Sequence, residues 1–190
     1  MSLSSNNIVP FIADIFYRRG AESYLGEQVS MSQHMLQAAR LAELNKGSDL
    51  LIGAALLHDI GHYTNEFSED ALAKGQNNYH ETAGAAVLEP FFPVGVVDCV
   101  RYHVAAKRYL CATDSEYYAG LSDASKHTLS LQGGAMDAAE VAEFQQLEHL
   151  EAIVNVRIWD DLGKDPNQEA PDFSYYQPVL ERLVKEHAEQ

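Results

Sequence analysis

Apolar residues recur at helical spacing along nearly the whole chain, and no stretch alternates apolar and polar residues for long enough to make a strand. That periodicity is the strongest constraint on the fold. Residues 7–19 place Ile8, Phe11, Ile12, Ile15 and Phe16 on one face before Gly20. Residues 31–45 repeat the pattern through Met35, Leu36, Ala39, Ala42 and Leu44, ahead of Gly47. Ser48 reads as the N-cap of a helix over 49–59, "DLLIGAALLHD", with Asp49 in the first turn, where negative charge is favoured. Further helices are predicted over 79–89, stopped by Pro90, and over 94–105, 114–120, 122–131, 147–162 and 173–187. "DAAE" at 137–140 has capping-box spacing. Loops fall at 63–77, 132–136 and 163–172, and none has the composition of an interdomain linker. The reading is a single all-α domain over residues 1–190.

Several of these helices carry histidine where a core residue is expected. His34 lies near the start of the second, His58 and Asp59 end the third, His80 opens the fourth and His103 lies late in the fifth. Asp160 follows an apolar helical run in "RIWDD". Taken singly, a half-buried histidine is usually a hydrogen-bonded core residue. Taken as a set, imidazoles and carboxylates are the ligands of divalent transition metals. Adjacent residues point about 100° apart on a helix, so His58 and Asp59 can share one metal only at a helix end. Gly61 reads as the mark of that end.

Thirteen Lys and Arg against 28 Asp and Glu give a net charge of −15. Such a surface repels nucleic acid and anionic lipid, and an anionic substrate would need a local positive pocket. No run approaches the roughly 20 apolar residues that span a bilayer, and "MSLSSNNIVPFIADIF" has no basic region or cleavage site typical of a signal peptide. Cys99 and Cys111 read as reduced thiols. A cytoplasmic protein is expected, either a monomer or a weak homo-oligomer, with no nucleic-acid or membrane partner.

The order His34, His58-Asp59, Asp160 resembles the HD-domain superfamily, all-helical metal-dependent proteins that are mostly phosphohydrolases. His80 and His103 resemble the additional ligands of the subgroup that holds two metals. The resemblance implies His34, His58 and Asp160 on one metal, His80 and His103 on the other, and Asp59 bridging them. It favours Asp160, after Trp159, over Asp161 as the ligand.

Residues beyond this set extend the resemblance. Tyr24 and Glu27 precede His34 in "AESYLGEQVSMSQH", and "YHVAAKRYLCAT" places Lys107 one helical turn after His103. Ser125 and Thr128 stand three apart in "SKHT", and Arg157 precedes Asp160 by three. Together these segments resemble the phosphonate-degrading di-iron oxygenases of the superfamily over nearly the whole chain, with Tyr102 replacing an aliphatic residue. That resemblance implies a mixed-valent Fe(II)/Fe(III) pair, O₂ as co-substrate, and cleavage of 2-amino-1-hydroxyethylphosphonate to glycine and inorganic phosphate. His62, Lys107, Ser125, Thr128 and Arg157 are donors suited to phosphonate oxygens. Glu27 suits a substrate ammonium, and the resemblance implies that Tyr24 occupies an iron position until it is displaced. A methylated ammonium would call for a more aromatic, less acidic pocket. Two alternatives stay open: a metal-dependent HD phosphohydrolase acting on a nucleotide or other phosphomonoester, and a non-catalytic HD module that binds a signalling ligand.

Overall fold

A computed structural model describes residues 3–24, 26–64 and 79–189. The protein is all-α, and among the described residues there are eleven helices. In chain order they are α1 (Ile8–Arg19), α2 (Met31–Leu44), α3 (Asp49–Leu57), α4 (Gly61–Thr64), α5 (His80–Leu88), α6 (Val94–Thr113), α7 (Tyr117–Gly120), α8 (Asp123–Leu131), α9 (Ala138–Phe144), α10 (Leu150–Leu162) and α11 (Phe173–Ala188). The only extended pairing among the described residues is an isolated bridge between Ser23 and Ser30. No described helix is long and apolar enough to cross a membrane.

α3 is the centre of the molecule. Its "DLLIGAALL" has almost no polar face, which marks a helix surrounded by protein. It packs against α2, α6, α10 and α11, and Ala54, Ala55, Leu56 and Leu57 are all fully buried. α2, α6 and α10 bury Met35, Val96, Val100, Ile153 and Trp159 around it. α11 covers the opposite side with Tyr176, Leu180 and Leu183, and α1 lies on α11. The start of α2 is set by a capping box, Ser30 accepting from the Gln33 amide and Gln33 accepting from the Ser30 amide, so His34 falls in the first turn.

The sequence reading shifts at five places. The helix expected over 94–105 runs without interruption to Thr113, because "AAKRYLCAT" contains no breaker. The segment 114–120 is helical only over Tyr117–Gly120, and 147–162 only from Leu150. The helix expected over 49–59 ends at Leu57, leaving His58 and Asp59 in the turn before α4. Of the loop expected over 63–77, Tyr63 and Thr64 are helical, and residues 65–77 lie outside the described residues.

Gly61 does not act as a left-handed helix terminator; it opens α4, and its role is steric. A Cβ at Gly61 would lie 1.8 Å from the His80 carbonyl oxygen and 2.7 Å from the Gly84 amide nitrogen. Gly61 and Gly84 together let α4 meet α5 at backbone contact, and this brings His80 beside Asp59. Gly53→Ala meets only the Leu183 Cδ1 methyl, at 2.5 Å, which a rotamer change can relieve. Gly61→Ala is therefore expected to cost about 3 kcal/mol and Gly53→Ala clearly less. Thermal or denaturant unfolding of the two variants checks this, and equal costs would refute the backbone-contact explanation.

Candidate metal centre and active site

Five elements deliver six side chains to one point beneath the surface. α2 brings His34, the turn after α3 brings His58 and Asp59, α5 opens on His80, α6 carries His103 and α10 carries Asp160. All six are buried. His80 follows Tyr79, whose φ of 48° is unusual for a bulky residue.

Three of the imidazoles have their tautomer fixed by the backbone. His34 Nδ1 donates to the Gly163 carbonyl (2.9 Å), His58 Nδ1 to Ala55 (2.8 Å) and His103 Nδ1 to Val100 (2.7 Å). A carbonyl oxygen can only accept, so each neutral ring turns an Nε2 lone pair inward. Those lone pairs face each other: His34 Nε2 lies 3.0 Å from His58 Nε2, and His80 Nε2 lies 3.1 Å from His103 Nε2.

The Asp59 carboxylate stands between the two pairs, one oxygen to each. Oδ2 is 3.4 Å from both His34 Nε2 and His58 Nε2. Oδ1 is 3.2 Å from His80 Nε2 and 3.4 Å from His103 Nε2. Asp160 Oδ1 joins the first group, 3.4 Å from His34 Nε2 and 3.9 Å from His58 Nε2. Asp59 Oδ2 and Asp160 Oδ1 are both buried without a hydrogen-bond partner among the described residues. Buried acceptors facing buried acceptors require a cation. Ligand atoms held 2.0–2.2 Å from one ion sit roughly 3.0–3.5 Å apart, the spacing seen in both groups. The donor set therefore fits metal ions, and Asp59 stands where it could serve both groups.

The electrostatics agree. Burial alone would raise the Asp59 and Asp160 carboxyls, yet imidazoles around Asp59, and Arg157, Lys164 and His58 around Asp160, hold both well below the usual carboxylate range. Arg157 Nη1 grips Asp160 Oδ2 at 2.6 Å, leaving Oδ1 for the cluster. Asp161 faces the other way, bound to Arg157 and to the Tyr117 hydroxyl.

The remaining residues singled out by the sequence gather around a cavity of about 60 Å³ above the cluster. The Tyr24 ring stacks on His34 at 4.1 Å, and burial followed by Asp59 and Asp160 raises its phenol. His62 stacks on His80 at 4.1 Å with its Nε2 3.8 Å from Asp59 Oδ1, and burial, reinforced by His80, lowers its pKa to about 3. Lys107 is buried and donates to Thr128 Oγ1 at 2.8 Å, with no carboxylate ion pair among the described residues. Glu27 accepts from the Ser122 hydroxyl at 2.7 Å, and Ser125 accepts from Lys164 at 3.2 Å. Arg157 reaches the cavity wall, but all three of its nitrogens already hold protein partners.

Two polar cavity residues, Lys164 and Gln132, and the Arg157–Asp161 partner Tyr117 were given no role from the sequence. Lys164 follows Asp160 by four residues, a helical-turn spacing that pointed to it. Gln132 continues the Ser125–Thr128 face of α8 one turn further, and its Oε1 is buried without a partner. Tyr117 had no local signal, because its partner Asp161 lies 44 residues away.

Residues 31–154 match the HD domain family model. The chain is 54% identical over 185 residues to a [1-hydroxy-2-(trimethylamino)ethyl]phosphonate dioxygenase (glycine-betaine-forming) from Leisingera caerulea, covering 97% of this chain and 94% of the relative. It is 41% identical over 165 residues to a hydroxymethylphosphonate dioxygenase from Gimesia maris, covering 86% of this chain and 82% of the relative.

If both groups hold metal through Asp59, anaerobic loading with Fe(II) at a hundredfold excess over each Kd should stabilise the protein by about 2.7 kcal/mol per site, about 5.4 kcal/mol for two independent sites. Asp59→Asn should abolish most of that gain while leaving the metal-free protein folded. Calorimetry with metal analysis reads both, and an Asp59→Asn protein that keeps the full metal-dependent gain would remove Asp59 from the centre.

Proposed function

The chain belongs to the HD-domain family of phosphonate dioxygenases, and from that premise we propose that it cleaves the C–P bond of 2-amino-1-hydroxyethylphosphonate with O₂, giving glycine and inorganic phosphate. We propose further that residues 1–190 form one HD domain and that its centre holds two iron ions, Fe(II) and Fe(III). The balance closes with one O₂ consumed, C1 oxidised from an alcohol to a carboxylate, and the phosphonate released as phosphate. The observation that carries the reading is the Asp59 carboxylate with one oxygen on each imidazole pair, directly beneath a cavity that contains a buried, uncompensated lysine.

When bound, the iron pair supplies the redox chemistry that protein side chains lack. His34, His58, Asp59 and Asp160 would hold one ion, and His80, His103 and Asp59 the other. The rest of the chain binds and orients. Lys107, buried and among the described residues paired only with Thr128, receives phosphonate oxygens, with Ser125 and His62 beside it. Neutral His62 serves as a hydrogen-bonding group and adds no further positive charge. Arg157 fixes the rotamer of Asp160 and reaches the substrate less directly than Lys107. Tyr24, flat against His34, covers the first ion position. Glu27, held by Ser122, receives the substrate ammonium.

A second substrate reading, the N-trimethyl analogue, is favoured by the 54% identity to the Leisingera enzyme. Against it, Tyr24 is the one phenol or larger aromatic on the cavity wall among the described residues, and an aromatic cage is the usual receiver of a quaternary ammonium. The phosphohydrolase alternative loses its ground because both relatives are oxygenases.

The test is phosphate release from 2-amino-1-hydroxyethyl-, 1-hydroxy-2-(trimethylamino)ethyl- and hydroxymethylphosphonate, with and without O₂. We expect O₂-dependent release, fastest from the primary amine; release without O₂ would overturn the reading. A pH profile gives a second check. Burial, aided by Arg157, pushes Lys107 down to about 7, so it is cationic below that pH and neutral above it. Accordingly kcat/KM should fall as pH rises through about 7, and Lys107→Arg, which stays charged, should remove that fall.

A further inference from the structure

Lys164 lies at the junction of the metal cluster and the Glu27 end of the cavity. Its Nζ donates to Ser125 Oγ at 3.2 Å and has three carboxylates around it: Asp160 Oδ1 at 3.5 Å, Asp161 Oδ1 at 3.8 Å and Glu27 Oε1 at 4.0 Å. Two of those carboxylates are already committed. Asp161 is held through both oxygens by Arg157 and Tyr117. Asp160 gives Oδ2 to Arg157 and turns Oδ1 towards His34. Glu27 is different: its one hydrogen-bond donor among the described residues is the Ser122 hydroxyl, a neutral group. Both side chains are largely shielded, with Lys164 10% and Glu27 13% exposed, so their charges interact with little screening by solvent.

We propose that Lys164 is an internal counter-ion of Glu27 and thereby sets which charge the cavity accepts on the C2 substituent of its substrate. This rests on the phosphonate reading above. A bare carboxylate at that position would strongly favour a cationic substituent. With Lys164 beside it, the Glu27 end of the cavity is close to neutral, an incoming ammonium must share Glu27 with a like charge, and a substituent without charge suffers little penalty. Lys164 thus acts on specificity through Glu27, whereas phosphonate binding belongs to Lys107.

Two isosteric ligands that lack the C1 hydroxyl, 2-aminoethylphosphonate and n-propylphosphonate, differ at the end of the chain as ammonium against methyl. Their Kd values, measured by calorimetry on the anaerobic iron-loaded protein, give a preference ratio that needs no turnover. Lys164→Gln, which keeps a hydrogen-bonding group near Ser125, and Lys164→Met should each raise the preference for the aminoethyl ligand by roughly tenfold. Lys164→Arg should leave it unchanged. In a Glu27→Gln background the effect of Lys164→Gln should vanish. Equal weakening of both ligands would assign Lys164 to the phosphonate and overturn the proposal, as would an effect that persists without the Glu27 charge. If the wild-type protein binds neither ligand, the phosphonate reading fails and this inference with it.

Discussion

The structure depends on one buried carboxylate that has to satisfy two sets of neighbours. Asp59 has no hydrogen bond on Oδ2 among the described residues and presents each oxygen to a different pair of imidazole nitrogens. A desolvated carboxylate facing neutral imidazole lone pairs needs cations between them. The surrounding fold is organised to aim the groups that would hold those cations. Backbone carbonyls of Ala55, Val100 and Gly163 fix the tautomers of His58, His103 and His34, and glycine contact between α4 and α5 draws His80 into place.

The same logic explains how a chain of net charge −15 can present a site for an anion. Asp160 and Asp161 engage Arg157, so that cation orients a carboxylate. Lys107 escapes such pairing among the described residues and is buried beside Thr128. The positive potential is local because low-dielectric walls focus it, while the acidic exterior governs only the far field.

Much of this was legible in the residues. The all-α class, the apolar α3, the capping box at Asp137–Glu140 and the six-residue His/Asp set can each be read from spacing and residue type. So could Lys107, because it shares a helix with His103. Gly61 was noticed for the wrong reason: a glycine after an apolar helix suggests a terminator, whereas it is needed where two backbones touch. Lys164 and Gln132 carried only a helical-turn spacing from residues already singled out, and Tyr117 escaped because its partner Asp161 lies 44 residues away. Glu27 looked free to take an ammonium, and the fold puts Ser122 and Lys164 against it.

The sequence by itself determined most of the helical segments, which faces are apolar and which side chains are capable of holding metal or an anion, since periodicity and donor chemistry are local properties. Only the tertiary structure decided how Asp59 divides its oxygens, which of Asp160 and Asp161 faces the cluster, and which cations stay unpaired. Those outcomes follow from distances between helices that no local pattern encodes, where a displacement of about one ångström separates a coordinating atom from a spectator.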